Sequence, residues 1–237
     1  MSSATVYLAV PHYDCLIAQA LPGLMMASQQ HRYIVALEGG SLLSLVFNQL
    51  WCRALNDRHK DGISHFAMHH ADMEAPAGWL DRLIEEQRRV DADVLSVVIP
   101  IKDGRGLTST GVRHPETGHI RRFTMKEIHQ TLPPTFSVHD TAYPDHWLMV
   151  NTGLWVCDFT KPWVEHVCFS ILDSVARSDD RFQARTLPED WNFSGWCARK
   201  GLRVFATRVL NVSHHGRGVY RNDTVWGDWS TDLGDQR

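Results

Sequence analysis

The feature that most constrains this chain is an alternation in its N-terminal part. Four short apolar runs, at 5–10, 31–37, 63–68 and 94–101, each have the length of one strand and are closed by Pro, Gly or charged residues. The last, rich in Val and Ile and bounded by Pro100 and Asp103, reads as a strand buried on both faces. A helical pattern covers 41–55, with Ser41 as N-cap and Leu42, Leu45, Val46, Gln49 and Leu50 at helical spacing. A second helix follows Pro76, with Trp79, Leu80, Leu83 and Ile84 as its inner face and Glu85 placed to pair with Arg89. Strands alternating with helices predict a three-layer α/β domain with a mixed, largely parallel central sheet. Ligands of such sheets bind beyond the carboxyl ends of the strands. Three polar clusters fall at those ends: Pro11-His12-Tyr13-Asp14, Glu38-Gly39-Gly40-Ser41 and His69-His70-Ala71-Asp72.

The rest of the chain is less regular. Residues 102–144 carry scattered Gly, Pro and charge, and are expected to form loops with an edge hairpin around 119–123. Apolar pieces at 147–150 and 154–157 flank Asn151-Thr152-Gly153. A helix over 161–176 is expected to bury Trp163, Val164, Val167, Cys168, Ile171, Leu172 and Val175. Another begins near Pro188 and ends by Gly201, a suitable C′ glycine. Strand-like runs follow at 202–207 and 209–212, and the tail after Gly216 has no period.

Composition narrows the class. The 237 residues are 43% apolar and 22% charged, which excludes a disordered or collagen-like chain. A formal charge of -3 excludes a broad basic surface for nucleic acid, while 14 His and 9 Trp lean towards a binding site. The cysteines (Cys15, Cys52, Cys157, Cys168 and Cys197) are odd in number, lack CxxC spacing and lie mostly in apolar runs, so buried free thiols are expected. No run approaches the ~20 apolar residues that span a bilayer, and the N-terminus lacks a signal pattern. A cytoplasmic protein is the expectation.

Three pieces carry a resemblance: the opening strand and turn over 6–14; the run 63–73, an apolar strand ending in His70-Ala71-Asp72; and the segment 188–216. The last starts Pro188-Glu189-Asp190-Trp191, passes Lys200-Gly201 and ends Ser213-His214-His215-Gly216. In this order they resemble glycosyltransferases of the GT-A fold, a Rossmann-like fold, across most of the chain. The resemblance implies one domain over 1–237, with a nucleotide-donor half at about 1–101, an acceptor and catalytic half at about 145–216, and a tail over 217–237. It implies a sugar moved from a nucleoside-diphosphate donor, a UDP-sugar favoured, to a hydroxyl acceptor, with Mn²⁺ or Mg²⁺ as cofactor. Asp72 takes the place of the directly coordinating aspartate of the family's Asp-x-Asp motif. His70 replaces the first aspartate, whose place is a donor or metal contact. His214 is the closer match to a late metal-binding His, and His215 the second. Asp190 matches the carboxylate that deprotonates the acceptor in inverting relatives, with Glu189 assisting it or capping the helix; in retaining relatives this segment orients sugar or acceptor instead. Pro11, Tyr13 and Asp14 fall where the donor nucleotide is received, Glu38 where its base or ribose sits, and Asn48 where relatives carry an Arg-Asn pair. Arg217 and Arg221 are candidates to reach the pyrophosphate.

These residue types suit the chemistry. A departing nucleoside diphosphate concentrates negative charge, which a divalent cation held by carboxylate and imidazole stabilises. Simpler roles compete. Asp72 can cap the helix after Pro76, Glu189 and Asp190 suit a helix's first turn, Glu38-Gly39-Gly40 can be a turn, and Trp147, Trp155, Trp163 and Trp191 fit a core better than sugar platforms. The acceptor is a small molecule, a protein or a hydroxylated DNA base; for DNA, Arg113, His114, His119, Arg121, Arg122 and Lys126 form a local basic cluster. Other readings are a non-haem Fe(II)/2-oxoglutarate oxygenase using His70, Asp72 and His214, a nucleotidyltransferase with the same donor logic, and a degenerate, non-catalytic nucleotide-binding module.

Overall fold

In the computed structural model, which describes residues 3–178 and 181–233, the chain starts with β1 (Thr5–His12), α1 (Leu21–Met25), β2 (Arg32–Gly39), α2 (Leu43–Asp61), β3 (His65–His69), β4 (Met73–Glu74), α3 (Trp79–Arg89) and β5 (Val94–Val97). It continues with β6 (Leu107–Arg113), β7 (Ile120–Thr124), α4 (Met125–Thr131), β8 (Thr135–Phe136) and β9 (Trp147–Met149). It ends with β10 (Leu154–Asp158), β11 (Leu172–Ser178), β12 (Arg181–Leu187), α5 (Glu189–Arg199), β13 (Val204–Thr207), β14 (Ser213–His215) and β15 (Val219–Arg221).

Seven strands form the central sheet in the order β2-β1-β3-β10-β5-β13-β8. β2, β1 and β3 are parallel, as are β5 and β13, whereas β10 and β8 run against their neighbours. This is the mixed, largely parallel sheet of a three-layer, Rossmann-like α/β fold. Alternate residues of β1 point to opposite faces, and both sets are apolar. Val6, Leu8 and Val10 join one core with Trp79, Leu80, Leu83 and Ile84 of α3. Tyr7 and Ala9 join another with Val46, Phe47, Leu50, Trp51 and Ala54 of α2 and Phe193 and Cys197 of α5. Among the described residues no helix is long and apolar enough to cross a membrane.

Several local expectations are corrected. β1 runs through Pro11 to His12, because its pairing with β3 ends at Ala9 and the missing N–H of Pro11 breaks no bond on that side. Leu42, not Ser41, sits at the N-cap of α2 and makes no side-chain cap bond; the helix runs on to Asp61, where Gly62 takes a left-handed conformation. Arg89 pairs with Glu86 rather than Glu85. The stretch 102–144 is not mainly loop: β6, β7 and β9 form a small antiparallel sheet, and Thr124 and Glu127 start α4 with a reciprocal capping box. Of the run 209–212, none is strand. Only Cys157 and Cys197 are buried; Cys15, Cys52 and Cys168 are exposed.

The helix expected over 161–176 does not form. A short 3-10 turn, Pro162–His166, gives way to an extended passage and then to the exposed hairpin β11–β12. The Asn48 side chain brackets Phe169, accepting from its N–H at 2.9 Å and donating to its carbonyl at 2.8 Å. Those tertiary bonds hold the backbone extended and drop Phe169 into the aromatic core, overriding the helical period of the sequence.

That core centres on Trp51, which is 1% exposed. Its ring meets Phe66 at 4.6 Å and Phe159 at 4.9 Å between centroids, and its indole N–H donates to the Val164 carbonyl at 2.9 Å. Trp51→Ala leaves a cavity and an unpartnered carbonyl, and a cost of about 3–5 kcal/mol is expected from urea unfolding.

Candidate functional site

The strand order reverses at β1: β2 lies on one side of it and β3 on the other. A crevice opens there beyond the carboxyl ends, the usual ligand position in open α/β sheets. Its floor is tied together by backbone bonds. The His70 N–H donates to the Gly153 carbonyl at 2.8 Å and the Ala71 N–H to the Pro11 carbonyl at 3.3 Å. Buried Asn151 donates to the Val97 carbonyl and accepts from the Gly153 N–H, locking the start of β10 between the ends of β3 and β5. A Cβ on Gly153 would lie 2.9 Å from Ile99 Cδ1, so a larger residue beside the His70 ring would push the Ile99 side chain aside.

Asp72 stands in this crevice, and a distant segment closes on it. β14 pairs with β4, matching His214 to Met73, and the His215 N–H donates to the Asp72 carbonyl at 2.9 Å. Neighbouring strand residues point oppositely. His214 therefore presents Nε2 to Asp72 Oδ2 at 3.5 Å, while His215 turns away to Glu74 at 2.9 Å. His214 Nδ1 donates to the Pro100 carbonyl at 2.9 Å, which fixes the ring with Nε2 facing Asp72. This is how metal-binding imidazoles are commonly oriented. Lys102, absent from the sequence expectations, forms an ion pair with the same Asp72 oxygen. The available signal was a lone basic residue just past the carboxyl end of a buried strand. Burial alone would raise the Asp72 carboxyl, but hydrogen bonds from His214 and Lys102 hold it well below the ordinary carboxylate range.

Among the described residues no three His, Cys, Asp or Glu side chains are grouped to hold a metal ion. The set Asp72, His214 and His70 is thus not a three-ligand centre; the His70 ring rests against Phe47, 5.2 Å between centroids. Burial, opposed by Asp72, lowers the His70 imidazole to about 4 and keeps it neutral. Its Nε2 and Asp72 Oδ1 are both buried without a hydrogen-bond partner. One carboxylate and one imidazole facing each other, with orphaned polar atoms beside them, fit a cation such as Mn²⁺ or Mg²⁺, which takes its other ligands from water and phosphates.

Across the 98–101 segment lies the start of α5. The Ser109 N–H donates to the Ile99 carbonyl, and the Trp191 indole donates to the Ser109 carbonyl at 3.0 Å, which brings Glu189 and Asp190 to the carboxyl edge of β5. Asp190 accepts from the Trp191 N–H at 2.7 Å. Burial first, then the charge of Glu189, push its carboxyl up to about 7, against the pull of the Trp191 N–H and Arg122. Burial also raises Glu189. Arg122 lies over the Trp191 ring at 4.6 Å, and both line a cavity of about 270 Å³ with Leu107, Ile120 and Asp232. A roomier cavity of about 480 Å³, lined by Trp147, Leu202 and Phe205, lies at the amino end of β13, and none of the candidate catalytic, donor or metal residues lines it.

The remaining expected residues are dispersed. Pro11 is buried at the crevice floor, Tyr13 and Asp14 are exposed just beyond it, and Glu38 is paired with Arg53 of α2. The Asn48 amide is bonded to Phe169 through both its oxygen and its nitrogen, which makes it a brace for the 161–176 stretch. Arg217 is exposed in the turn between β14 and β15, and Arg221 is bonded to Asp223. Trp155 and Trp191 are buried, and Trp163 packs against the aromatic core. The basic cluster lies along the β6–β7 hairpin and the start of α4, where Arg113 lies over Trp147, Arg121 pairs with Glu127, and Arg122 covers Trp191.

The raised Asp190 carboxyl has a stability consequence. Its unfolded value is about 4 and its folded value about 7, so the native state holds a proton that the unfolded chain has lost between those limits. The stability this proton contributes is full below pH 4 and is lost as pH rises through 7. The advantage of Asp190→Asn over the wild type should grow by about 2–4 kcal/mol between pH 4 and 7 and then level off, read by urea unfolding at each pH. A difference independent of pH would refute the shift.

No protein-family model matches this chain, and no curated protein does. Among solved structures it is similar to A197 from STIV, with 12% identity, a TM-score of 0.55, and coverage of 99% of this chain and 100% of that one. It is more distantly similar to the nucleoside-diphosphate-sugar pyrophosphorylase from Vibrio cholerae RC9, with 12% identity, a TM-score of 0.36, and coverage of 86% of this chain and 72% of that one. At such identities the first likeness is one of fold alone.

Proposed function

We propose that this chain is a metal-dependent glycosyltransferase of the GT-A type, moving a sugar from a nucleoside-diphosphate donor, a UDP-sugar in the first instance, to a hydroxyl acceptor. The observation that carries this reading is the meeting of Asp72 and His214, 3.5 Å apart, beyond the carboxyl ends of the sheet at its switch point. Asp72 and His214 would hold Mn²⁺ or Mg²⁺, with neutral His70 beside them as a donor contact. When bound, the cation offsets the charge that gathers on the departing diphosphate.

Asp190 supplies the other half of the chemistry. A carboxyl held near 7 is partly ionised at neutral pH and matched to accepting a proton, which contributes about 10²–10⁴-fold. It takes the acceptor's hydroxyl proton as the acceptor oxygen bonds to the anomeric carbon. The bond from that carbon to the diphosphate breaks, and its electron pair leaves with the phosphate oxygen. Glu189 tunes Asp190 by its charge, and the cavity beside Trp191 and Arg122 receives the acceptor. The oxygenase reading gains no support, since its three ligands do not form one group and the sheet is mixed and largely parallel.

A thermal-shift panel of nucleoside diphosphates with and without Mn²⁺ tests the reading. One of them, at 100 times its Kd, should stabilise the protein by about 2.7 kcal/mol only when Mn²⁺ is present. Asp72→Asn should abolish that shift while unfolding as cooperatively as the wild type; an unchanged shift would sink the assignment. Asp190→Asn should keep the shift and lose about 10²–10⁴-fold in turnover. Metal-dependent nucleotide binding by the wild type with no turnover of any sugar donor would mark a non-catalytic module instead.

A further inference from the structure

We infer that Lys102 is an exchangeable counter-cation of the donor site, holding Asp72 when no metal is bound and turning to the donor's diphosphate when a divalent cation takes its place. The inference rests on the metal-dependent reading above and assigns a positioning residue to it. Lys102 Nζ pairs with Asp72 Oδ2, the oxygen that also faces His214 Nε2. An ammonium and a divalent cation cannot both occupy that side of one carboxylate, because each repels the other at contact distance. Binding of the metal therefore has to displace the lysine.

The surroundings show where the lysine belongs. Lys102 follows Ile101, whose N–H donates to the Leu107 carbonyl, so its backbone is anchored at the carboxyl edge of β5. Its stem runs against Gly216, where a Cβ would lie 2.8 Å from Lys102 Cδ, so the turn that follows His214 packs on this side chain. Asp103, the next carboxylate along the chain, is engaged by Arg105 through both backbone and guanidinium. Both side chains of the pair are about one-third exposed, so the head group can move while the stem stays in place. A flexible point charge beside a metal-binding carboxylate is well suited to bind a phosphate oxygen once released.

The test uses the full chain and two readouts besides turnover: Mn²⁺ binding by electron paramagnetic resonance without nucleotide, and UDP binding by calorimetry at saturating Mn²⁺. Lys102→Met removes the competitor and should tighten Mn²⁺ about fivefold, the factor set by freeing a carboxylate from a part-exposed ion pair. The same variant should weaken UDP about tenfold, and Lys102→Arg should restore most of that loss. Unchanged Mn²⁺ affinity overturns the exchange, and unchanged UDP affinity overturns the hand-over to phosphate. Asp72→Asn separates the two levels. If wild type and Asp72→Asn bind Mn²⁺ alike, with and without UDP, the metal reading falls and this inference with it. If binding depends on Asp72 but not on Lys102, only the inference falls.

Discussion

A sheet covered by helices on both faces can keep polar side chains only at its edges and strand ends, and the rest of this molecule follows from that constraint. Residues 6–10 of β1 and 66–68 of β3 spend every side chain on one of two apolar cores. At their carboxyl ends both strands turn polar, at His12 and His69, beside the reversal of strand order. Placing charge anywhere else on these strands would desolvate it without a partner. The crevice is thus a consequence of how the core is packed.

The crevice is completed by chain that arrives late. Asp72 alone is a carboxylate on a loop; the pairing of β14 with β4 brings a histidine to it and fixes which one. That return is held by buried Asn222, which accepts from the Val212 N–H and donates to the Val98 and Leu210 carbonyls. A buried amide with its groups satisfied ties the end of β5 to the approach of β14 and holds His214 in register.

Two aspartates end in opposite electrostatic states. Asp72, held by a lysine and an imidazole, stays ionised, whereas Asp190, buried beside Glu189, is pushed up towards neutrality. One carboxylate held ionised and another held towards neutrality, on either side of one strand end, is a difference made by environment. The two sit on one scaffold because segment 98–101 bonds to both neighbourhoods, through the Pro100 and Ile99 carbonyls.

The sequence by itself determined the layers, because local periodicity reports local burial: the strands at 5–10 and 63–68, the inner face of α3 and the stop at Gly201 all depend on neighbours in the chain, whereas the strand read over 94–101 stops at Val97. It also placed Asp72, Asp190 and His214 at element ends, where polar residues interrupt an apolar run. It misjudged 161–176, since nothing local reveals that Asn48 would pin Phe169 extended. It could not separate His214 from His215, find Lys102, or see that Glu38 and Asn48 already had partners. Those facts are set by contacts between residues far apart in the chain, which exist only once the sheet has formed and β14 has paired with β4.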